Sequence, residues 1–161
     1  MNIGFILNGE DVVVRTNAER RLSDVLRSTF KLLGVKTGCN VGNCGACSVL
    51  LNGYVVKSCL IPVFKIRDCE IITLEGFSLT DDYKDIISGF TEAGVECCGF
   101  CNSSKILTAE GLLSKNNKPS RKEIIAGFEG IKCRCTEPES LIRGVLASMS
   151  LRRRRLYGRS G

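Results

Sequence analysis

The sequence contains no histidine among its 161 residues. This absence excludes a histidine-containing zinc finger, a Rieske centre and a cysteine–histidine nucleophile. It also removes the one side chain whose unperturbed pKa lies near neutrality. Proton-transfer catalysis within this chain is therefore not expected.

Long hydrophobic runs are also missing. No apolar segment reaches the roughly 18–20 residues that a membrane span requires. The N-terminal residues lack the basic region of a secretory signal peptide. Hydrophobic residues make up 43% of the sequence and charged residues 25%, which is typical of a globular protein. We therefore expect a folded protein located in the cytoplasm.

Cysteine, in contrast, is abundant, with ten residues. Cytoplasmic thiols stay reduced, so this abundance indicates metal ligands rather than disulfides. The first four cysteines have the spacing C-x4-C-x2-C-x11-C: Cys39, Cys44, Cys47 and Cys59. The first three match the loop that wraps a plant-type [2Fe–2S] cluster. Gly38, Gly42 and Gly45 allow that loop to approach closely and to point backbone N–H groups at sulfur atoms.

A second group of four cysteines has the spacing C-x2-C-x31-C-x-C: Cys98, Cys101, Cys133 and Cys135. Each pair precedes a predicted helix, and helix N-termini stabilise thiolates. Two helix starts brought together would place four sulfur atoms around one centre. Four-cysteine zinc sites use similar pairs, so zinc is an alternative for this group. The remaining Cys69 and Cys97 are predicted to be ordinary thiols.

The first half of the chain is predicted to be rich in β-structure. Two Asn-Gly pairs between apolar stretches indicate β-hairpins, at Asn8-Gly9 and Asn52-Gly53. Helical spacing of apolar residues predicts a helix from Leu22 to Leu33, ended by Gly34. Residues Glu70 to Leu74 form the last predicted strand. Five strands around one helix would make a small mixed sheet.

The second half of the chain is predicted to be helical. Apolar spacing indicates helices over residues 82–91 and 105–113. Two capping boxes, which begin at Ser120 and Thr136, predict the starts of two further helices. The boundary between the halves is expected near residues 76–81.

Positive charge is concentrated at the C-terminus. The sequence carries 23 Lys and Arg residues against 17 Asp and Glu residues, and five arginines lie beyond residue 151 with no acidic residue among them. A basic patch can bind nucleic acid, but no groove-reading motif accompanies this one. We therefore interpret residues 152–161 as a tail that is solvated or contacts a partner protein.

Taken together, these features resemble the iron–sulfur subunits of the molybdenum hydroxylases, the xanthine dehydrogenase and aldehyde oxidase family. The resemblance covers nearly the whole chain. It is carried by five motifs: Gly38-Cys39-Asn40-Val41-Gly42-Asn43-Cys44-Gly45-Ala46-Cys47, Ser58-Cys59-Leu60, Leu74-Glu75-Gly76, Cys98-Gly99-Phe100-Cys101 and Cys133-Arg134-Cys135-Thr136.

The resemblance implies an α+β fold with two domains and a tail. A β-grasp ferredoxin-like domain over residues 1–77 would hold one [2Fe–2S] cluster, and a four-helix-bundle domain over residues 78–151 would hold the other. The basic tail would then comprise residues 152–161. The implied ligands of the first cluster are Cys39, Cys44, Cys47 and Cys59. Those of the second are Cys98, Cys101, Cys133 and Cys135.

Partners are implied as well. In the family, a large subunit holds molybdopterin, a medium subunit holds FAD, and electrons pass from the first to the second through both clusters. The chain would then be an electron-transfer subunit of a hetero-oligomeric oxidoreductase, xanthine dehydrogenase-like, with no substrate chemistry of its own and no nucleic-acid partner. The alternatives are a free-standing ferredoxin-like carrier or redox adaptor without a molybdenum partner, and a zinc-stabilised interaction or nucleic-acid module.

The sequence departs from the family pattern mainly near the second group of cysteines. Cys97 stands where the family has a glutamine that contacts the pterin. Asn102-Ser103-Ser104 replaces Thr-Pro-Gly, and Glu137-Pro138 replaces Gly-Tyr. A fourth departure, Val41, replaces an acidic residue of the first loop. Three of the four departures lie on the side that would face the molybdenum subunit, which is the reason for keeping the free-standing carrier as an alternative.

Overall fold

The computed structural model describes residues 1–36, 46–95, 102–129, 131 and 137–158. Its N-terminal part is built on five strands: β1 Asn2–Leu7, β2 Glu10–Arg15, β3 Ser48–Leu51, β4 Tyr54–Lys57 and β5 Glu70–Ile72. They form one mixed sheet in the order β2-β1-β5-β3-β4. Strands β1 and β5 run parallel, and the other neighbours run antiparallel.

Both predicted hairpins are confirmed. Asn8 and Gly9 connect β1 to β2 with φ angles of 51° and 85°, and Asn52 and Gly53 connect β3 to β4 with φ angles of 50° and 84°. Two consecutive positive φ angles define the tight turn that matches the twist of an antiparallel pair, and Asn-Gly tolerates them best. The predicted last strand is shorter than expected, because it ends at Ile72.

The first helix, α1, spans Leu22–Ser28 and ends earlier than its apolar spacing predicts. The prediction that it reaches Leu33 was wrong. Lys31 adopts a left-handed φ of 57°, and the Leu32 N–H donates to the carbonyl of Leu26 at 3.0 Å. The chain therefore reverses direction three residues before the glycine that was expected to stop the helix.

The described residues after the sheet are mainly helical, as predicted. After the short α2, Leu74–Phe77, come four longer helices: α3 Asp81–Glu92, α4 Asn102–Lys115, α5 Arg121–Phe128 and α6 Pro138–Tyr157. The Ser120 cap is confirmed, since its Oγ accepts the Glu123 N–H at 3.2 Å. The cap predicted at Thr136 lies outside the described residues, and α6 begins at Pro138 with Glu137 at the N-cap position. Proline suits that first position because its φ is already helical.

The sheet separates two hydrophobic cores. One core lies between α1 and the sheet, and the other lies among the helices. Strand β3 serves both, because Val49 belongs to the first core and its neighbour Leu50 to the second. Adjacent residues of a strand point to opposite faces, so this strand is covered on both sides. Helix α4 provides the cover, with Gly111 so close to Val55 that a Cβ would lie 2.6 Å from its Cγ2.

Helices α3 and α6 pack closely along their small residues. A Cβ at Gly89 would lie 2.5 Å from the backbone nitrogen of Ser148, and a Cβ at Gly144 would lie 2.8 Å from the ring of Phe90. The Ser148 hydroxyl donates to the Gly144 carbonyl at 2.7 Å. Neither position has room for a larger side chain where α3 and α6 pack together.

The predicted tail does not begin at residue 152, because α6 continues to Tyr157. Arg152 is 9% exposed and pairs with the Glu110 carboxylate of α4, and its Nε lies 3.3 Å from Asp82 Oδ1 of α3. Arg155 binds Asp82 at 2.5 Å and Asp85 at 2.9 Å. Two arginines of the predicted tail thus join α6 to α3 and α4.

Burial raises the pKa of the Glu110 carboxyl above its ordinary value of 4.5, although the hydrogen bond from Arg152 opposes this shift. None of the described helices is long and apolar enough to cross a membrane.

Candidate metal centres

The β3–β4 hairpin brings two of the predicted ligands together. Cys47 immediately precedes β3, and Cys59 lies in the 3-10 turn Ser58–Leu60 that follows β4. The Cys59 N–H donates to Cys47 Sγ at 3.4 Å, and Ser58 donates to the Cys47 carbonyl through its hydroxyl at 2.6 Å and its backbone N–H at 3.3 Å. Both cysteines are buried. The hairpin register therefore fixes the positions of two sulfur-bearing residues.

The ends of the segment that carries the other two cysteines of this group also meet. The Lys36 N–H donates to the Ala46 carbonyl at 3.3 Å. Arg27 of α1 donates to the Val35 carbonyl at 2.7 Å, and the Glu75 carboxylate accepts the Gly34 N–H at 2.8 Å. The chain thus enters and leaves the cysteine loop at one anchored place. Cys39 and Cys44 themselves lie outside the described residues.

The motif Leu74-Glu75-Gly76 owes its position to the first hairpin. Asn8 accepts the Thr73 N–H at 2.8 Å and donates from its amide to the Thr73 hydroxyl at 3.0 Å. A Cβ at Gly76 would lie 2.4 Å from the Asn8 side chain, so glycine allows this contact. The Asn8 turn therefore holds the start of α2, and Glu75 reaches the entrance of the cysteine loop from there.

The second group of cysteines lies outside the described residues, but its flanks are described. Helix α4 begins at Asn102, directly after Cys101, and α6 begins at Pro138, three residues after Cys135. Both predicted helices are present, and α4 begins three residues before the predicted start at Lys105. They border one cavity of about 210 Å³. Its lining includes residues of both helices and of α5, together with two residues that follow α5: Lys105, Ile124, Phe128, Pro138 and Ile142, with Glu129 and Ile131. The flanks of both cysteine pairs thus meet at one place.

Within the described part of the chain, no group of three or more Cys, Asp or Glu side chains could hold a metal ion. Only Cys47, Cys59 and Cys69 among the cysteines are described, and none of these three is in a disulfide. Cys69 lies apart from the other two, with its thiol 3.6 Å from the Arg67 carbonyl.

Two protein families match successive parts of the chain. Residues 5–65 match the family described as 2Fe-2S iron-sulfur cluster binding domain, and residues 73–146 match the family described as [2Fe-2S] binding domain. The nicotinate dehydrogenase small FeS subunit of Eubacterium barkeri is 41% identical over 136 residues, which cover 84% of this chain and 87% of that subunit.

The chain belongs to the [2Fe–2S] subunit family of the molybdenum hydroxylases.

Two further relatives show how the subunit occurs elsewhere. The aldehyde oxidoreductase of Megalodesulfovibrio gigas is 38% identical over 143 residues, and the match covers 87% of the subunit but 16% of that enzyme. The solved structure of quinoline 2-oxidoreductase from Pseudomonas putida 86 superposes with a TM-score of 0.84 at 33% identity, and it covers 95% of the subunit and 96% of that chain. The match thus spans most of the separate small subunit and about a sixth of the aldehyde oxidoreductase.

The α+β fold is confirmed, and the subunit carries two [2Fe–2S] clusters, one for each of its matched domains. The described residues fit the first cluster. Cys47 and Cys59 are side by side and buried, and one sulfur accepts a backbone N–H. Thiolates that accept such bonds are the donor set that [2Fe–2S] irons take. The match of residues 73–146 to a [2Fe-2S] binding domain sets aside the zinc alternative for the second group.

Sequence reasoning overlooked the groups that anchor these sites. Asn8 was interpreted only as a turn residue and Glu75 only as part of a motif. Their contacts span 65 and 41 positions of sequence, so no local pattern indicates them. The apolar spacing predicts a helix that begins at Lys105, but nothing in it predicts that this side chain is fully buried at the cavity. The one available signal was its position four residues after Cys101.

Proposed function

We propose that this subunit carries electrons from a molybdenum–pterin site on a large partner subunit to FAD on a medium partner subunit, within one hetero-oligomer. The single observation that supports it most is the buried Cys47–Cys59 pair, held by a hairpin inside a domain that matches [2Fe–2S] proteins. Each [2Fe–2S] cluster accepts and releases one electron at a time. The chain itself holds the sulfur ligands, excludes water and supplies N–H groups to sulfur.

We assign Cys39, Cys44, Cys47 and Cys59 to the first cluster and Cys98, Cys101, Cys133 and Cys135 to the second. The hydrogen bond between Lys36 and Ala46 supports the first assignment. Cys39 follows Lys36 by three residues and Cys44 precedes Ala46 by two, so the chain length keeps both within reach of the hairpin. The shared cavity at the starts of α4 and α6 supports the second assignment.

For the domains, we propose a ferredoxin-like domain over residues 1–77 and a helical domain from residue 78. The separate hydrophobic cores support this division. Because α6 reaches Tyr157, we extend the helical domain to residue 157 rather than ending it at residue 151.

For the complex, we propose hydroxylation of an N-heterocycle, with xanthine as the first substrate to test. Two of the relatives above are named for N-heterocycles, nicotinate and quinoline, and one is named for aldehydes. The large subunit would bind the substrate, so the residues of this subunit do not determine which substrate is used. A cytoplasmic location agrees with the eight proposed ligand cysteines, which must stay reduced to bind iron.

Metal analysis and spectroscopy of the complex purified without oxygen test the proposal. We expect about four irons and four acid-labile sulfides per chain, and two electron paramagnetic resonance (EPR) signals after reduction. Cys59→Ser should remove one signal and Cys135→Ser the other, whereas the matched control Cys69→Ser should keep both.

The same preparation distinguishes the partners. Molybdenum and FAD that co-purify with the subunit support the proposal. A subunit that carries iron and sulfide but purifies alone would favour the free-standing carrier. Loss of both signals in a folded Cys59→Ser variant would refute the division of ligands between the clusters.

A further inference from the structure

Strand β4 is the last strand of the sheet in space, so its outer edge is open among the described strands. At the end of the β3–β4 hairpin, the Ser58 N–H donates to the Cys47 carbonyl at 3.3 Å, and Leu50 faces Val55 three positions further along the ladder. Hydrogen-bonded and non-bonded pairs alternate along an antiparallel ladder. The N–H and C=O groups of Val55 therefore point away from β3, toward the open side.

A groove of about 620 Å³ lies beside this edge. Strand β4 contributes Val55 to its lining, α4 contributes Gly111, and α5 contributes Ala126 and Gly127. The two α5 residues are exposed and small, so they leave room along that wall. An open strand edge accepts an extended peptide as an additional strand, and an adjoining pocket takes the side chains of that peptide.

The charge of the groove indicates which peptide it fits. The lining contains two lysines and one glutamate. Lys115 Nζ lies 3.5 Å from the Tyr54 ring centroid and pairs with no carboxylate among the described residues. The carboxylate of Glu123 already accepts hydrogen bonds from the Asn116 amide at 3.0 Å and the Ser120 hydroxyl at 3.2 Å. The charge left without a partner is therefore the Lys115 ammonium, which favours a segment that carries a carboxylate.

The position of the groove indicates where this segment comes from. Ile131 lines both this groove and the cavity of about 210 Å³ at the starts of α4 and α6. The groove thus adjoins the side of the helical half that would face the molybdenum subunit. A second copy of this chain is a poorer occupant, because its β4 edge carries the same lysines and like charges oppose docking.

We propose that an extended, acidic segment of the molybdenum-containing partner subunit docks in this groove and adds a strand to the outer edge of β4. Val55 binds the backbone of that segment, and Lys115 binds its carboxylate. The inference rests on the proposed function, because it takes its occupant from the proposed complex.

Hydrogen exchange resolved to single amides tests the added strand. The full subunit with both clusters is measured alone and bound to the purified molybdenum-containing partner subunit. The Val55 amide should exchange at least about tenfold more slowly in the complex, because it then donates to the docked strand. The Val56 amide faces β3 and serves as the internal reference. The Val13 amide points away from β1 at the opposite edge of the sheet and should keep its rate.

A pair of charge reversals tests the carboxylate. Lys115→Glu reverses the charge in the groove, and Lys118→Glu makes the same change at an exposed residue outside the lining. Lys115→Glu should raise the dissociation constant of the complex at least about tenfold at low salt, since like charges then face each other across the interface. Lys118→Glu should change it less than about twofold. Both variants should keep both EPR signals, which shows that they are folded.

A second pair of variants tests the groove without a charge reversal inside it. Ala126→Phe fills the groove with a ring, and Lys122→Phe places the same ring at an exposed position of α5 outside the lining. Only Ala126→Phe should weaken binding of the partner subunit about tenfold or more.

A complex in which the Val55 amide exchanges as fast as in the free subunit would overturn the inference. Equal effects of Lys115→Glu and Lys118→Glu would also overturn it. Protection of Val55 that appears in the subunit alone as its concentration rises would place a second copy in the groove and would refute the proposed occupant. Failure of the proposed function has a different signature, because the wild-type subunit would then carry both clusters and bind no molybdenum-containing protein.

Discussion

The two halves of this subunit hold their cysteines in different ways. In the sheet half, one hairpin places Cys47 beside Cys59. The Cys59 N–H donates to Cys47 Sγ, and the Ser58 hydroxyl and N–H donate to the Cys47 carbonyl. In the helical half, the flanks of the cysteine pairs meet only where α4, α5 and α6 converge. The first arrangement is local in sequence, and the second depends on the packing of separate helices.

Charge divides the halves in the same way. The core of the sheet half is apolar with buried hydroxyl groups, whereas the helical half buries Lys105, Arg152 and part of Glu110. A local, neutral arrangement should tolerate changes elsewhere in the molecule. An arrangement that depends on helix packing and on buried ion pairs should respond to changes far from the metal, and to pH.

The largest expected effect comes from the contact between α3 and α6. Gly89→Val places a branched side chain where a single Cβ would already lie 2.5 Å from the Ser148 backbone nitrogen. Overpacking of this kind costs about 3 kcal/mol, at the upper end of the usual range, because the backbone itself must move. We expect loss of the helical-domain EPR signal with the ferredoxin-domain signal retained, measured on the reduced protein alongside its free energy of unfolding.

Ser88→Val is the matched control for this change. Ser88 is exposed on the same helix, so the variant carries the same β-branched penalty without the steric clash. It should keep both signals. Loss of the ferredoxin-domain signal in Gly89→Val would contradict this, because it would show that packing in the helical half affects the cluster of the sheet half.

A smaller effect is expected from Ser58, which holds the sheet-half site. Its buried hydroxyl donates to the Cys47 carbonyl at 2.6 Å, so Ser58→Ala should lower the free energy of unfolding by about 1 kcal/mol. The ferredoxin-domain cluster should become more labile, as measured by the decay of its EPR signal in air. The helical-domain cluster should keep its lability.

Ser23 provides the control for Ser58. It is equally buried in the same half, and its hydroxyl has no hydrogen-bond partner in the described part of the chain. Ser23→Ala should therefore be close to neutral in unfolding free energy, since no bond is lost. If the two serine variants lost the same stability, the hydrogen bond to Cys47 would have no role of its own.

Much of the sheet half could be predicted from the sequence because its determinants are local. The Asn-Gly turns fix both hairpins, and the hairpin register then places Cys47 opposite the turn that carries Cys59. The early end of α1 could not be predicted, because the left-handed Lys31 is stabilised by bonds to carbonyls of that helix rather than by a glycine.

The helical half was less predictable for a physical reason. Its helices can be predicted from apolar spacing and caps, but whether a charged side chain is buried depends on which helix faces it. Arg152 looks like part of a basic tail in the sequence, and it becomes buried only because Glu110 and Asp82 lie opposite on other helices. Lys105 is buried because α4 is surrounded by the sheet and the other helices.

The smallest expected effect is a pH dependence that belongs to the helical half. Burial raises the pKa of Glu110 above 4.5, so the folded state binds its proton more tightly than the unfolded state. The stability contributed by this group is complete below pH 4.5 and is lost as the pH rises through the folded-state pKa. The free energy of unfolding of the wild type, relative to Glu110→Gln, should therefore fall as the pH rises from 4.5 and then level off, as measured by denaturant titrations.

Glu123 is the control, because its hydrogen bond from Asn116 lowers its pKa and moves its titration below that window. The wild type relative to Glu123→Gln should stay level across the same range. If the free energy of unfolding instead rose with pH relative to Glu110→Gln, the ion pair with Arg152 would outweigh burial, and the folded state would favour the charged carboxylate.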